Sequence, residues 1–446
     1  MNDESNLSLN HAILLTYLQN LHILNVPIPD DITISKFKDG QSNPTYLITY
    51  NDVTKFHIVL RKAPPGNLLK GAHAVDRESR LMNAIKEANP LCALPQIYKI
   101  EYDSTIIGTP FYLMEYINGT IYRNPSLPNV LPTLRKVLYK NMASALASIH
   151  NTPFTDNILS EIKLPKNCSA FSKRQINIWS NQYNRSSNDI LHLPEMETLL
   201  IWLQNNIPYT NRNESEMNSN SPPLTIVHGD FRLDNIIFNN KDTAEVSAVL
   251  DWELGGVGDG IADLAYCCLG YYIPSVGVLA NFSLLKNNIL PQGIPTLQEF
   301  IEEYKTCRTE GKNTIPSLDS EEWKFYLCLG LYRIACICAG VYTRALQGNA
   351  SSNQGYIFKE AVPLCAQQAM LLINKTNTAA TTNSLHATPR SLDAPSTLAI
   401  PILMKLRKFI DDVIIPSEIK FSNQRVQQFS KSPKENSNRW QPNIIM

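Results

Sequence analysis

The sequence predicts an α+β fold of two lobes, a small β-rich lobe followed by a larger, mostly helical one. Short runs rich in β-branched and aromatic residues crowd residues 32–116, whereas long helical patterns dominate from about residue 131. Between two apolar runs, residues 226–238 read IVHGDFRLDNIIF. A strand that needs only burial has no use for His228, Asp230, Arg232, Asp234 and Asn235 in its middle, so this loop is where the chemistry is expected.

The elements follow in order. Residues 7–24 have a helical pattern and form an N-terminal helical extension, 1–29. A first lobe over 30–118 then opens with ITISKFKDGQSNPTYLITY, residues 32–50, two strands joined by the DGQSNP turn. KFHIVLRKA, residues 55–63, reads as a third strand closed by Pro64, Pro65 and Gly66. Residues 72–88 are helical and TPFYLMEY, residues 109–116, is a strand.

The second lobe, 119–375, begins with an amphipathic helix over 134–150 and continues with helices over 171–184 and 195–205. A polar surface loop covers 209–223, and VSAVLDWE, residues 246–253, is an apolar strand ending in acid. One or two buried helices are expected over 319–347 and another over 358–375. Residues 376–399 are rich in Thr, Ala, Ser and Asn and read as a flexible linker. The last segment, 400–446, is short for a core of its own.

Composition narrows the function. Lys plus Arg and Asp plus Glu both number 40, so no general attraction to nucleic acid or to an anionic membrane is expected. No apolar run reaches the roughly 20 residues that span a bilayer. The nine cysteines show no zinc-type spacing and are expected to be free, buried thiols. Their odd number, with an acidic, polar start that resembles neither a signal nor a transit peptide, suggests a reducing compartment, the cytoplasm by default. The final NIIM is not a peroxisomal signal.

In HGDFRLDN, Asp230 can accept the proton of an attacking hydroxyl. Asn235 on the same loop and Asp251 at the end of the next strand offer oxygen ligands, which suit Mg²⁺. Magnesium takes one or two carboxylates from protein and completes its shell with water and nucleotide phosphate, the division of labour that phosphoryl transfer requires.

Asp230-x-x-x-x-Asn235 resembles the catalytic loop of kinases, with His-Gly-Asp for His-Arg-Asp, and Asp251 of VLDWE stands where kinases carry their metal-binding Asp. The pair of motifs is similar to the aminoglycoside phosphotransferase and choline kinase branch of the protein-kinase-like fold. GQSNPTYL, VLRKAPPG, AHAVDRESR, GTPFYLMEY, VHGDFRLDN and VLDWELGGVGDGIADLAY resemble, in order, the phosphotransferase domain that precedes acyl-CoA dehydrogenase in long fusion proteins, over about residues 30–375.

The resemblance implies an ATP- and Mg²⁺-dependent transfer of phosphate to a hydroxyl, with Asp230 as base or hydroxyl-orienting group and Asn235 and Asp251 on the metal. Gly40, Ser42 and Asn43 would cover the nucleotide phosphates, unless they form an ordinary hairpin turn. Strand alternation puts Val59 and Arg61 on one face, so Val59 would roof the adenine and Arg61 replace the kinase strand lysine, with Glu78 as its ion partner. Lys62 would take that place only after a bulge. The C=O of Glu115 and N–H of Ile117 would pair with the adenine at the hinge, unless they belong to a plain edge strand. His228 is expected to brace the loop and Asp263 to cap a helix or brace the loop from beneath. Arg232 and Asp234 fit either mutual pairing or substrate contact. One departure stands out: where the family has Gly-Asp-Pro this chain has Gly258-Asp259-Gly260, and Gly260 lacks proline's fixed φ, so a more mobile loop is expected.

The resemblance extends to 400–446, which looks like the opening of an acyl-CoA dehydrogenase domain, a stub expected to bind no FAD and to be either a disordered or loosely docked tail or a segment that docks on a separate dehydrogenase. The acceptor it implies is a hydroxyacyl-CoA, including one with a 4-hydroxy group. Aminoglycoside- or choline-like small alcohols are the alternatives, and a nucleotide-binding scaffold for a dehydrogenase is a reading of a different class. Fusion relatives of this kind sit in mitochondria or peroxisomes.

Overall fold

The computed structural model describes residues 11–21, 31–37, 43–51, 55–64, 75–162, 164–186, 192–209, 222–241, 243–347 and 355–374. The expected linker, the C-terminal stub, Gly40 and Ser42 lie outside the described residues.

The first lobe is an antiparallel sheet of β1 (Ile32–Lys36), β2 (Thr45–Tyr50), β3 (His57–Lys62), β4 (Ile97–Glu101) and β5 (Phe111–Glu115), in the order β1-β2-β3-β5-β4. Alternation along β3 divides its side chains between two cores. Ile58 and Leu60 pack with Tyr46, Ile48, Phe111 and Leu113 on one face. Val59 packs with Tyr112, Met114 and helix α2 (Val75–Ala88) on the other. Helix α1 (His11–Asn20) closes the first face with Leu14 and Leu18, both fully buried. A helix of this length is marginal alone. Burying those two leucines contributes roughly 3–6 kcal/mol and holds it in place. β4 was not legible in sequence: it is a half-exposed edge strand, broken by a register shift between Ile97 and Lys99.

The second lobe contains α3 (Pro132–His150), α4 (Asp156–Glu161), α5 (Cys168–Ser186), α6 (Pro194–Asn205), α7 (Gly260–Cys267), α8 (Leu297–Cys307), α9 (Glu321–Leu346) and α10 (Ala361–Asn374). Two small antiparallel ribbons carry the polar loops. β6 (Leu224–Val227) pairs with β9 (Gly256–Asp259), and β7 (Ile236–Phe238) pairs with β8 (Val246–Val249). The stretch over 319–347 forms one helix, α9, started by Ser320, whose side chain accepts from Trp323 N–H. By length and composition α9 can cross a membrane, yet 89% of its most apolar window is buried against α5, α7 and α10, so it is the core helix of this lobe. All nine cysteines are free, seven of them buried.

Gly260 corrects the expectation of a mobile loop. It is buried at the first turn of α7, capped by the Asp259 side chain, and a Cβ there would lie 2.8 Å from the Thr225 hydroxyl and 3.2 Å from His150 Nδ1. The residue is small because the packing is close.

Candidate active site

The loop after β6 needs a glycine at its turn. Gly229 has φ 82°, and a Cβ on it would meet the Leu254 carbonyl oxygen at 2.7 Å. His228, fully buried, braces the loop: its Nε2–H donates to the Leu250 carbonyl at 2.8 Å and its Nδ1 accepts from Asp230 N–H at 3.1 Å. Asp263, on the first turn of α7, accepts from His228 N–H at 2.8 Å, Gly229 N–H at 3.0 Å and His150 Nε2 at 3.3 Å. The loop is therefore anchored through main chain as well as side chains.

Asn235 draws the predicted residues together. Its Nδ2 donates to the Asp230 carbonyl at 2.9 Å and to Asp230 Oδ2 at 3.2 Å, which leaves Oδ1 as a free-facing acceptor. Its own carbonyl accepts from Leu250 N–H at 2.8 Å, tying the loop to the chain just before Asp251. Asp251 adopts left-handed backbone angles, φ 67° and ψ 60°, a strained state that costs about 1–3 kcal/mol and concentrates at functional sites. Its Oδ1 accepts from Arg61 Nη2 at 2.6 Å.

Arg61 is shared. Its Nε donates to Glu78 Oε2 at 3.1 Å, while Glu78 Oε1 accepts from Trp252 N–H at 3.1 Å. Burial pushes the Glu78 carboxyl up to about 7 against the pull of Arg61. Burial opposes the Arg61 charge too, but Glu78, Tyr112, Asp251 and Glu253 prevail and hold it firmly protonated. Lys62 points to the opposite face and donates to the Ile107 carbonyl at 3.0 Å. No bulge interrupts the pairing of β3 with its neighbours.

A cavity of about 290 Å³ runs along this side, lined by Val59 and Arg61 above, Ile237, Asn235 and Asp251 below, and Glu115 and Ile117 at its edge. The Ile117 N–H has no protein partner among the described residues. Asn43 is buried, and neither side-chain amide atom has a partner among the described residues.

On the other side of Asp230 lies a cavity of about 500 Å³ bordered by Gly229, Tyr266, Trp179 and Arg333. Arg333 was missed in the sequence. Its guanidinium donates to the Gly229 carbonyl and to Asp230 Oδ1, the latter at 3.3 Å, and sits 4.2 Å from the Tyr266 ring centroid and 5.1 Å from that of Trp179. Its signal was a lone arginine inside the apolar run GLYRIACIC, where a charge is seldom placed without a partner. Burial raises the Asp230 pKa, but Arg333, Arg232, His228 and Tyr266 outweigh it and hold the carboxylate below its ordinary value. Arg232 and Asp234 pair with each other, at 3.0 Å between Nε and Oδ1.

Replacing Arg333 by Met should lower kcat roughly 10- to 100-fold, the loss of one or two charge-assisted hydrogen bonds. The acid limb of the pH–rate profile should move upward as Asp230 regains its ordinary pKa. A profile with an unmoved limb would show that Arg333 only packs.

Two carboxylates and an amide meeting between a sheet-built lobe and a helical one match the expected protein-kinase-like fold. The model of the phosphotransferase enzyme family matches residues 33–283. The chain belongs to that family. This phosphotransferase is 41% identical over 321 residues to mouse acyl-CoA dehydrogenase family member 10, covering 71% of this chain and 27% of the relative. It is 33% identical over 401 residues to human acyl-CoA dehydrogenase family member 11, covering 89% of this chain and 47% of the relative. The chain thus spans about a quarter to a half of the length of these curated relatives. The solved structure of a candidate aminoglycoside phosphotransferase from Ralstonia eutropha aligns with TM-score 0.64 and 28% identity, over 81% of this chain and 98% of that one. The resemblance read from the sequence is borne out: the chain carries the phosphotransferase fold and is similar to a candidate aminoglycoside phosphotransferase and to acyl-CoA dehydrogenase family members.

Proposed function

We propose that this phosphotransferase moves the γ-phosphoryl group of ATP, with Mg²⁺, onto the hydroxyl of a hydroxyacyl-CoA. The observation that carries the reading is the position of Asp230, whose partner Asn235 borders one cavity and whose partner Arg333 borders the other. A nucleotide in the first and an alcohol in the second would meet at this carboxylate. The acyl-CoA part rests on the two dehydrogenase family members to which the chain is similar.

The first cavity fits a nucleotide. Ile117 offers an unused N–H at the edge, Val59 an apolar roof, and Asn43 an unpartnered amide. No cluster of three or more His, Cys, Asp or Glu suited to a metal occurs among the described residues. Asn235 Oδ1 and the Asp251 carboxylate make a sparse oxygen pair, which suits Mg²⁺ arriving with phosphate and water rather than a bare ion. When bound, Mg²⁺ would neutralise charge on the phosphates. Arg61 would turn from Asp251 to the phosphate oxygens while Glu78 keeps hold of its Nε. Asp230, ionised at neutral pH, would accept the hydrogen bond of the acceptor hydroxyl, aim its oxygen and take its proton as the new bond forms.

Calorimetry with ATP and Mg²⁺, followed by mass spectrometry of a panel of hydroxyacyl-CoAs, choline and aminoglycosides, tests the reading. A phosphate mass on the CoA thioester is expected, and Asp251→Ala should weaken Mg·ATP binding roughly 10- to 100-fold. Turnover on choline or an aminoglycoside alone would move the acceptor to another class. Tight ATP binding indifferent to both chelation and Asp251→Ala would remove the metal from the assignment.

A further inference from the structure

We infer that the 500 Å³ cavity seats an acceptor with an apolar body and an anionic far end, the anion being held at the rim by Arg77 and Arg174. This rests on the phosphotransferase reading for the placement of the reacting hydroxyl beside Asp230. Much of the lining is apolar: Phe171, Ile178 and Trp179 from α5, with Ile162, Val257 and Leu329, while Gln175 and Gln182 add two neutral amides. Ile178 remains 47% exposed in this lining, an apolar surface without a cover. Such walls favour an alkyl or acyl chain over a polyhydroxylated or cationic alcohol.

The rim is cationic. Arg174 is exposed, has no acid partner among the described residues, and rests 5.6 Å from the Phe171 ring centroid. Arg77 is fixed by donating to the Gly255 carbonyl at 2.6 Å and the Glu253 carbonyl at 3.4 Å, both neutral acceptors. A guanidinium has further N–H donors, so Arg77 keeps capacity for an anion. Burial first, then Arg174 and Arg80, lower the Arg77 pKa against Asp76 and Glu161, so the two rim cations sense each other. Three acids also line the cavity. Asp259 accepts from Tyr326 and Ile261, Asp263 holds the catalytic loop, and Glu253 acts on Arg61 and Glu78. Among the described residues, Asp259 and Asp263 direct their carboxylates at these partners and not at Arg174. A negatively charged group would relieve the repulsion of the rim pair and gain charge-assisted hydrogen bonds.

The test uses the full chain and three acceptors with the same hydroxyacyl group: its CoA thioester, its neutral N-acetylcysteamine thioester, and the free hydroxy acid. The wild type should show a lower KM for the CoA thioester than for the neutral one. Arg174→Glu should shrink that KM ratio about tenfold or more, and added salt should shrink it in the wild type. Discrimination for the free acid instead of the CoA thioester would make the anion a carboxylate rather than a phosphate. An unchanged ratio in Arg174→Glu would overturn the rim assignment. If the wild type phosphorylates none of the three, the acyl acceptor falls, and calorimetry decides the rim separately. There, about tenfold weaker binding of the CoA thioester by Arg174→Glu supports it, and equal binding overturns it.

Discussion

Asp230→Asn is expected to lower kcat about 100- to 10,000-fold, the range for loss of a positioned acid–base group, while Mg·ATP still binds. The substitution keeps the shape of the side chain, so the Asn235 and Arg333 contacts lose a charge rather than a neighbour. The 290 Å³ cavity is lined by Asn235 and Asp251, which the change leaves in place. The depressed pKa of Asp230 sharpens the expectation. A carboxylate so stabilised is a weak base at neutral pH, so most of its effect comes from aiming the hydroxyl, with proton uptake late. Asp230 should then contribute no limb to the wild-type kcat profile between about pH 5 and 7, above the ordinary Asp pKa of about 3.9. A limb in that window belongs to Glu78, whose carboxyl burial pushes up to about 7. Rapid-quench turnover of Asp230→Asn at the wild-type rate would sink the assignment.

Asp263→Ala should cost roughly 3 kcal/mol or more of stability, because it orphans the His228 and Gly229 N–H groups and His150 in a buried place. Activity should fall further than stability alone explains, since those two N–H groups hold the residues before Asp230. Asp263→Asn should fall between, keeping an acceptor oxygen but setting an NH₂ against donors. Urea unfolding measures the first effect and turnover at low temperature the second. A variant as stable and active as the wild type would show that the loop holds itself.

The same cluster predicts a pH dependence. Burial lowers the His150 pKa against the pull of Asp263, and its ring stays neutral, accepting from Tyr304 O–H at 2.6 Å through Nδ1. A group whose folded pKa is depressed gives stability above its unfolded pKa and loses it as pH falls toward the folded value. For His150 the loss therefore begins below about pH 6.5. For Asp263, which burial raises but His150 and His228 hold below its ordinary value, it begins only below about pH 4. In Asp263→Ala the higher-pH part should persist, because desolvation of His150 remains.

The sequence carried the first lobe well wherever one strand or helix set the outcome. Alternation in HIVLRK placed Val59 and Arg61 on the cleft face and Lys62 away from it, as the fold does. α8 was missed although Thr296 and Glu299 form a capping box, a local signal that was there to be read. Other misses have no local signature. β6 and β9 are short, and only their pairing makes them strands. Arg333 lies 104 residues from the Gly229 carbonyl that it contacts, and no spacing rule connects them. Asn43 was read as a phosphate-loop residue, but its buried, unpartnered amide is visible only in three dimensions.

The arginine held at once by Glu78 and Asp251 gives the cleft an internal counterion. A lone divalent cation approaching Asp251 must compete with a guanidinium already seated there, whereas a polyphosphate offers that guanidinium a new destination and vacates the carboxylate. Nucleotide and cation should therefore load as one unit, each poor at entering without the other, and the resting protein should ignore swings in free magnesium.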